Sequence, residues 1–254
     1  MLEIIGPLMV ALVAQQVSQS SPAAQPASAA SQPETHGPSG FLYRRVAYEN
    51  REYPYCVFVP PAYTPERAWP VILFMHGSGE GGDDGFLQTD VGLGRALRRY
   101  YRMIPAIVVM PQAPMGTPWV GPMSRMALRC VEDVSRDYHL DPNRVYLTGL
   151  SLGGMGAWAL AAELPDRFAA VAPLCGSGDP KTAAKLKDVP IWAFHGGADT
   201  AVPVEGSRAM VQAIRAAGGT LIKYSEVEKA GHNVWDQAYS DAEFWKWMFA
   251  QKRP

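Results

Sequence analysis

The sequence predicts an α/β fold with a central, mostly parallel sheet of about eight strands and helices on both faces. Two patterns lead to this prediction. The runs VILFM and AIVVM are apolar throughout, as expected for strands covered on both faces. Between the later apolar runs lie segments whose apolar residues repeat every three or four positions, the spacing of one helix face. Strands that alternate with helices are typical of βαβ units.

Eight segments are predicted strands: residues 42–48, 55–59, 71–75, 106–110, 144–148, 169–174, 191–195 and 221–227. The second of them ends at Pro60-Pro61, which favours a position near an edge of the sheet. A turn is expected at residues 141–143, DPN, just before the fifth strand. Helices are predicted at residues 124–138, 155–164 and 203–217, and from a capping box at residues 240–243 onward.

The composition excludes several classes of protein. The chain has 254 residues, a common length for one α/β domain. Its 23 Lys and Arg residues against 24 Asp and Glu residues give a net charge of −1, which disfavours nucleic acid as a partner and excludes a polybasic membrane anchor. Three cysteines (Cys56, Cys130 and Cys175) lack the spacing of a metal site or a disulfide framework.

The first 40 residues differ from the rest. Residues 4–14, IIGPLMVALVA, are too few to span a bilayer, which needs ~20 apolar residues, and predict the core of a signal peptide within residues 1–14. The preceding Glu3, with no Lys or Arg beside it, is atypical of such a peptide. Residues 15–40 are rich in Gln, Ser, Ala and Pro and predict a disordered linker. We expect a secreted or periplasmic protein, with a cytoplasmic one as the alternative, folded over residues 41–254.

Residues 149–153, GLSLG, fit the G-x-S-x-G nucleophile elbow. The predicted strand RVYLT leads into this pentapeptide and the predicted helix MGAWALAAEL leads out of it, as the motif requires. A serine at the turn adopts a strained backbone so that its hydroxyl projects outward. Ser78 and Ser177 also stand between glycines, but no helical pattern follows either at once. Ser151 is therefore the predicted nucleophile.

A nucleophilic serine needs a base, and the base needs a carboxylate that orients it. After a nucleophile elbow these partners follow in the order acid, then histidine. His232, just after the last predicted strand, is the predicted base, whereas His195 is expected to hydrogen-bond within its own loop. Asp199, in the loop GGADT, is the predicted acid, and Asp179, one strand earlier, is its rival.

The Gly-rich loop HGSGEGG follows the predicted strand 71–75. Acyl transfer builds negative charge on the substrate oxygen, which two backbone N–H groups can stabilise. One donor is expected from Leu152, directly after the nucleophile, and the other from Ser78 in this loop. A phosphate-binding loop is the weaker alternative, because no GK[ST] sequence is present.

With these pieces placed, the chain resembles the α/β-hydrolase carboxylesterases, in the phospholipase/carboxylesterase-like, feruloyl-esterase-like and polyhydroxybutyrate-depolymerase-like branches. The motifs that carry the resemblance are FMHGSGEGGDD, MPQAP, GLSLGGMGAW, FHGGADTAVP and AGHNVW. The resemblance implies the α/β-hydrolase fold. No long insertion lies between the predicted elbow helix and the acid loop, so we infer a small or absent lid. The resemblance also implies that Trp119 and Trp235 line the substrate pocket, with partly buried packing residues as the alternative.

The expected function is that of a serine carboxylesterase that cleaves short-chain or aromatic, hydroxycinnamoyl-type esters through an acyl-enzyme. The expected substrate is a small-molecule or polysaccharide-linked ester; we expect no metal, no other cofactor, no nucleic acid and no membrane span, and the oligomeric state stays open. The alternatives are an oligopeptidase-like serine peptidase, a polyester depolymerase and a non-catalytic binding protein. The last is disfavoured because all three predicted triad residues are present.

Overall fold

A computed structural model describes residues 38–254 of the chain, and the predicted signal-peptide core and residues 15–37 of the predicted linker lie outside this range. Eight strands form one sheet: β1 (Gly40–Tyr48), β2 (Arg51–Val59), β3 (Trp69–Met75), β4 (Ile107–Pro111), β5 (Leu140–Leu150), β6 (Ala170–Leu174), β7 (Ile191–Gly196) and β8 (Ile222–Val227). Their order across the sheet is β1-β2-β4-β3-β5-β6-β7-β8.

The sheet is mostly parallel, as predicted. β1 pairs with β2, and β2 with β4, in antiparallel register. The remaining neighbours pair in parallel, from β4 through β3 and β5 to β8. The carboxyl ends of these six strands meet at one edge of the sheet, where α/β folds build their ligand sites.

Six α-helices cover the sheet in the described part of the chain: α1 (Leu93–Tyr100), α2 (Pro122–Val134), α3 (Leu152–Glu163), α4 (Glu205–Ala216), α5 (Trp235–Ser240) and α6 (Ala242–Ala250). The core cluster that contains Leu160 lies beneath α2, α3 and α4. The cluster that contains Phe244 lies beneath α1, α5 and α6 on the opposite face. Helices on both faces are therefore confirmed.

Two strands are longer than predicted by four residues or more. β2 begins at Arg51 because its whole length pairs with β1, and it is the second strand from the edge of the sheet. β5 begins at Leu140, which pairs with Trp69 before the register shifts. The turn predicted at residues 141–143 is this irregularity, and within it the Asn143 N–H donates to the Asp141 carboxylate at 2.9 Å.

Two short helices, α1 and α5, were not predicted. α1 has eight residues and α5 six, so neither carries the long apolar period that marks a helix in sequence. The capping box predicted at residues 240–243 would make Ser240 the cap of α6, and this is wrong. Asp241 caps the helix by accepting from the Glu243 N–H at 2.9 Å, while Ser240 ends α5.

The connection between β6 and β7 is short, and its regular structure is one 3₁₀ helix, Pro180–Leu186, which confirms the small lid. Cys56, Cys130 and Cys175 are buried free thiols. Among residues 38–254, no helix has both the length and the apolar character needed to cross a bilayer.

Candidate active site

Ser151 lies in a sharp turn between β5 and α3. Its φ of 53° makes it one of three non-glycine residues with positive φ in the described chain. The Ser151 N–H donates to the Leu174 carbonyl at 2.8 Å, which ties the turn to β6. A Cβ atom on Gly153 would lie 2.0 Å from the Met75 carbonyl oxygen, so the motif needs glycine there. The backbone is that of a nucleophile elbow.

The predicted base lies within hydrogen-bond distance of both Ser151 and the predicted acid. His232 Nε2 is 2.8 Å from Ser151 Oγ, and His232 Nδ1 is 2.7 Å from Asp199 Oδ2. A carboxylate can only accept, so Nδ1 carries the proton of the ring and donates it to Asp199. The lone pair of Nε2 therefore faces the serine hydroxyl, as general-base chemistry requires.

Asp199 follows β7 and its side chain is completely buried. Its Oδ1 accepts from the Ala201 and Val202 N–H groups, both at 2.9 Å. Burial opposes ionisation, but the hydrogen bonds from the His232 ring and from these two amides outweigh it and hold the pKa of Asp199 below its usual range. The carboxylate is therefore charged at neutral pH.

Asp179, the rival acid, lies elsewhere. It caps the 3₁₀ helix Pro180–Leu186, where its side chain accepts from the Lys181 N–H at 3.0 Å. The carboxylate is exposed, and its hydrogen bonds stabilise the end of a helix rather than orient a histidine.

The two predicted oxyanion donors, Leu152 and Ser78, are each the first residue of a helical segment, α3 and the 3₁₀ helix Ser78–Glu80. The leading N–H groups of a helix have no partner inside it, so both can serve an external acceptor. A Cβ atom on Gly77 would lie 3.5 Å from Ser151 Cβ, so this loop lies directly beside the predicted nucleophile.

His76, whose role was not predicted, holds the same loop in place through two hydrogen bonds of its ring. The Ala113 N–H donates to His76 Nε2 at 3.0 Å, so the ring proton is on Nδ1 and is donated to the Gly77 carbonyl at 2.6 Å. Burial lowers the pKa of His76 to about 4, so the ring is neutral. Its position as the first residue of the Gly-rich loop was the only sequence signal.

Trp119 does not line an open pocket, contrary to the prediction. Only 1% of its surface is exposed, and its indole N–H donates to the His76 carbonyl at 2.9 Å. Its ring packs edge-on against the His76 imidazole, with centroids 4.9 Å apart. Trp119 is therefore a packing residue, which was the alternative to the pocket prediction, and it stabilises the Gly-rich loop.

Trp235 is half-buried and lies beside the predicted base. Its ring meets the His232 imidazole edge-on, with centroids 5.1 Å apart. It therefore remains next to the reacting atoms, and its predicted contact with substrate stays a prediction.

A cavity of about 550 Å³ extends along α3 from Met155, one helical turn after Ser151. Its wall on the helix side continues over Ala159 to Glu163, and the loop at Ser177 and the residue Lys185 form the opposite side. The lining is thus mostly apolar on the helix side and mostly polar or charged on the opposite side. The volume is within the range of ~300–1,000 Å³ of small-molecule sites.

Eight strands, helices on both faces and an elbow serine at the carboxyl edge define the fold of an α/β hydrolase. The family model described as "Dienelactone hydrolase family" matches residues 114–244. This is more than half of the chain, which therefore belongs to the dienelactone hydrolase family.

Several of the similar proteins are named esterases. The chain is 37% identical to the putative esterase NocK of Nocardia uniformis subsp. tsuyamanensis over 78 residues, which are 30% of this chain and 23% of that protein. The crystal structure of a thermostable esterase covers 84% of this chain and is itself covered to 63%, with 33% identity and a TM-score of 0.77. A ferulic acid esterase shares the fold at 18% identity, with a TM-score of 0.66, over 83% of this chain and 97% of its own. The predicted resemblance to α/β-hydrolase esterases is confirmed, while the matched part spans less than two thirds of NocK and of the thermostable esterase.

Proposed function

We propose that the protein is a serine esterase that hydrolyses carboxylic esters through an acyl-enzyme. The observation that carries the proposal is the pair of contacts from His232, 2.8 Å to Ser151 Oγ and 2.7 Å to Asp199 Oδ2. Ser151 Oγ attacks the ester carbonyl carbon while His232 Nε2 takes the hydroxyl proton. His232 then gives this proton to the leaving alcohol.

The second half of the reaction reuses the same groups. Water attacks the carbonyl of the acyl-enzyme as His232 Nε2 removes its proton, and the proton returns to Ser151 as the acid leaves. In both halves the backbone N–H groups of Leu152 and Ser78 face the developing oxyanion. Each such donor is worth ~2.7–4 kcal/mol in the transition state.

For the substrate, we propose short-chain or aromatic uncharged esters rather than long-chain lipids. The lining of the cavity beside α3 includes the charged residues Glu163, Asp179 and Lys185, so it lacks the continuous apolar wall that a long acyl chain needs. A buried methylene contributes ~0.8 kcal/mol only where such a wall covers it. Names of relatives agree with esters as the class, since NocK and the thermostable esterase are both called esterases.

The proposal is tested with acetyl, butyryl, octanoyl and palmitoyl p-nitrophenyl esters and methyl ferulate. We expect kcat/KM to be highest for the short or the aromatic esters and to fall steeply toward palmitoyl. Ser151→Ala serves as the blank for background hydrolysis. A maximum at palmitoyl would favour a lipase, and no turnover of any ester above the blank would remove the esterase proposal.

The cavity itself is tested by filling it. Ala159 is exposed on α3 and lines the cavity, so Ala159→Trp adds a bulky ring there without displacing core residues. We expect kcat/KM for methyl ferulate to fall about tenfold while the acetyl ester loses about twofold or less. Ala216→Trp, at the exposed end of α4, is the matched control. Equal losses in kcat/KM for both esters would show that this cavity does not bind the acyl group.

Export is a separate proposal that rests on the apolar residues 4–14. Fractionation of cells that express the full chain tests it: we expect the protein outside the cytoplasm and shortened at its N-terminus, and a full-length cytoplasmic protein would contradict it.

A further inference from the structure

Glu80 is a half-buried carboxylate beside Ser151 that the proposed reaction does not use. It is the last residue of the 3₁₀ helix Ser78–Glu80, and its Oε2 accepts a hydrogen bond from the Gly77 N–H at 2.8 Å. A Cβ atom on Gly77 would lie 2.9 Å from Glu80 Oε2 and 3.5 Å from Ser151 Cβ. The carboxylate and the predicted nucleophile therefore both border the space beside the same glycine.

The conformation of Gly77 decides where the next N–H points, which is that of Ser78, a predicted oxyanion donor. A peptide bond is planar, so the Gly77 carbonyl and the Ser78 N–H form one rigid unit, and the Gly77 N–H belongs to the unit before it. The dihedral angles of Gly77, φ −79° and ψ −176°, set the angle between the two units. Glycine has more freedom in these angles than other residues, so a fixed direction requires that both units are held by other groups.

Two side chains hold these two peptide units. His76 Nδ1 donates to the Gly77 carbonyl at 2.6 Å, which holds the unit that contains the Ser78 N–H. Glu80 Oε2 accepts from the Gly77 N–H, which holds the unit before it. Gly77 therefore cannot rotate without breaking one of these hydrogen bonds.

The backbone of Glu80 is itself anchored to the end of β4. Gln112, directly after this strand, is fully buried, and its Nε2 donates to the Glu80 carbonyl at 3.1 Å. Its Oε1 accepts from the Gly85 N–H at 2.7 Å, so the same amide also holds the loop farther on. The side chain of Glu80 thus links a fixed part of the loop to Gly77.

We propose that Glu80 is a positioning residue that directs the Ser78 N–H at the substrate oxygen, an inference that rests on the proposed function of Ser151. The hydrogen bond that Glu80 accepts from Gly77 performs this role. Without it, the peptide unit before Gly77 is released and the direction of the Ser78 N–H is held by His76 alone.

The negative charge of Glu80 is not what this role requires. Burial raises the pKa of the carboxyl, although the hydrogen bond from the Gly77 N–H acts in the opposite direction. An ionised carboxylate near the substrate oxygen also opposes the negative charge that builds there in the transition state. An uncharged acceptor of the same length should therefore serve as well.

Three substitutions of Glu80 separate the hydrogen bond from the charge. Glu80→Gln keeps an acceptor oxygen at the same distance from Gly77, Glu80→Asp keeps the charge but is one methylene too short, and Glu80→Ala has neither. We expect kcat on the butyryl p-nitrophenyl ester to fall ~10–100-fold in Glu80→Asp and Glu80→Ala with little change in KM, because an oxyanion donor acts in the transition state. Glu80→Gln should stay within about threefold of wild type. Asp83→Ala removes an exposed carboxylate from the same loop and is the matched control, with both constants unchanged.

Binding of a transition-state analogue distinguishes positioning from a merely structural role. In a propyl trifluoromethyl ketone the carbonyl carbon bonds to Ser151 Oγ, the serine proton passes to His232, and the carbonyl oxygen becomes an anion that faces the Ser78 N–H. The unfluorinated ketone stays trigonal. We expect the inhibition constant of the fluorinated ketone to rise in Glu80→Asp by the factor by which kcat/KM falls, and that of the unfluorinated ketone to change less than about twofold.

Three results would each overturn the proposal: a loss in Glu80→Gln as large as in Glu80→Asp, wild-type kcat in Glu80→Ala, or a loss of kcat without weaker binding of the fluorinated ketone. If Glu80→Ala does not fold, the comparison of Glu80→Asp with Glu80→Gln decides alone. Wild type and Ser151→Ala are assayed in parallel. Retained activity in Ser151→Ala would reject the proposed function, whereas loss there with unimpaired Glu80→Asp would reject the role of Glu80 alone.

Discussion

Two helices on the same face of the sheet begin in nearly the same unusual backbone conformation, but only one has a side chain there. Before α2, Gly121 has φ 54° and ψ −120°; before α3, Ser151 has φ 53° and ψ −117°. This region is open to glycine and costs other residues of the order of 1–3 kcal/mol. α2 begins with the residue that tolerates the turn, whereas α3 begins with a strained serine whose Oγ reaches His232. A strained backbone conformation with a side chain therefore occurs at Ser151, where the proposed chemistry needs a hydroxyl.

The largest effect should come from removing the side chain that occupies the strained turn. Ser151→Ala keeps the Cβ and the fold but leaves His232 without a hydroxyl to deprotonate. We expect kcat on a short-chain p-nitrophenyl ester to fall by up to ~10⁶-fold. Circular dichroism should show an unchanged fold. A loss below tenfold would mean that another residue performs the attack.

The next effect compares two carboxylates that follow neighbouring strands. In Asp199→Asn an amide N–H can donate to His232 Nδ1, where the carboxylate accepted from it. The ring then adopts the wrong tautomer, and kcat should fall by ~10⁴-fold. Asp179→Asn should change kcat less than about twofold, since this side chain caps a 3₁₀ helix and lines the cavity, while His232 Nδ1 donates to Asp199. Steady-state kinetics of the two purified variants decide the matter. Similar losses in both would move the acid away from Asp199.

Most of the candidate site could be predicted from the sequence alone, but the burial of one residue could not. Ser151 and His232 were predictable because the elbow requires a strand, glycines and a helix in fixed order, and a base in a later loop. The choice of Asp199 over Asp179 depended on strand order, which a parallel βαβ pattern supplies. The burial of Trp119 was not predictable, because nothing in MPQAP or the residues after it says which way the indole turns. It follows from the His76 carbonyl, which accepts the indole proton.

A smaller effect tests the loop that lies beside Ser151. Burial lowers the pKa of His76 to about 4, whereas a histidine of an unfolded chain titrates near ~6.5. Between these values the unfolded chain binds a proton that the folded chain does not. The free energy of unfolding should therefore be highest above pH ~6.5, where neither state is protonated at His76, and fall by about 3 kcal/mol as the pH drops to ~4.

Urea unfolding between pH 4 and 7.5 measures this dependence. His76→Gln removes the titrating ring and should flatten the slope in this window, while His139→Gln, at an exposed site, should leave it unchanged. The same slope in wild type and His76→Gln would show that another group causes it.

The smallest effect isolates the strain itself. A Cβ atom on Gly121 would meet nothing within 4 Å, so Gly121→Ala introduces only the cost of positive φ, about 1 kcal/mol. At the elbow the sign reverses: Ser151→Gly should be about 1 kcal/mol more stable than Ser151→Ala, although glycine ordinarily destabilises relative to alanine. Urea unfolding of the three variants gives both differences. A Ser151→Gly variant less stable than Ser151→Ala would show that the elbow is not strained.

The central claim, that Ser151 is a nucleophile activated by His232, is tested most directly by covalent labelling. A serine-directed fluorophosphonate is incubated with the wild-type chain and with Asp199→Asn, and the adduct is located by peptide mass spectrometry. We predict one adduct per chain, on Ser151, formed far more slowly in Asp199→Asn because the base is no longer oriented. An adduct on Ser78 or Ser177, or equal labelling rates in the two proteins, would contradict the claim.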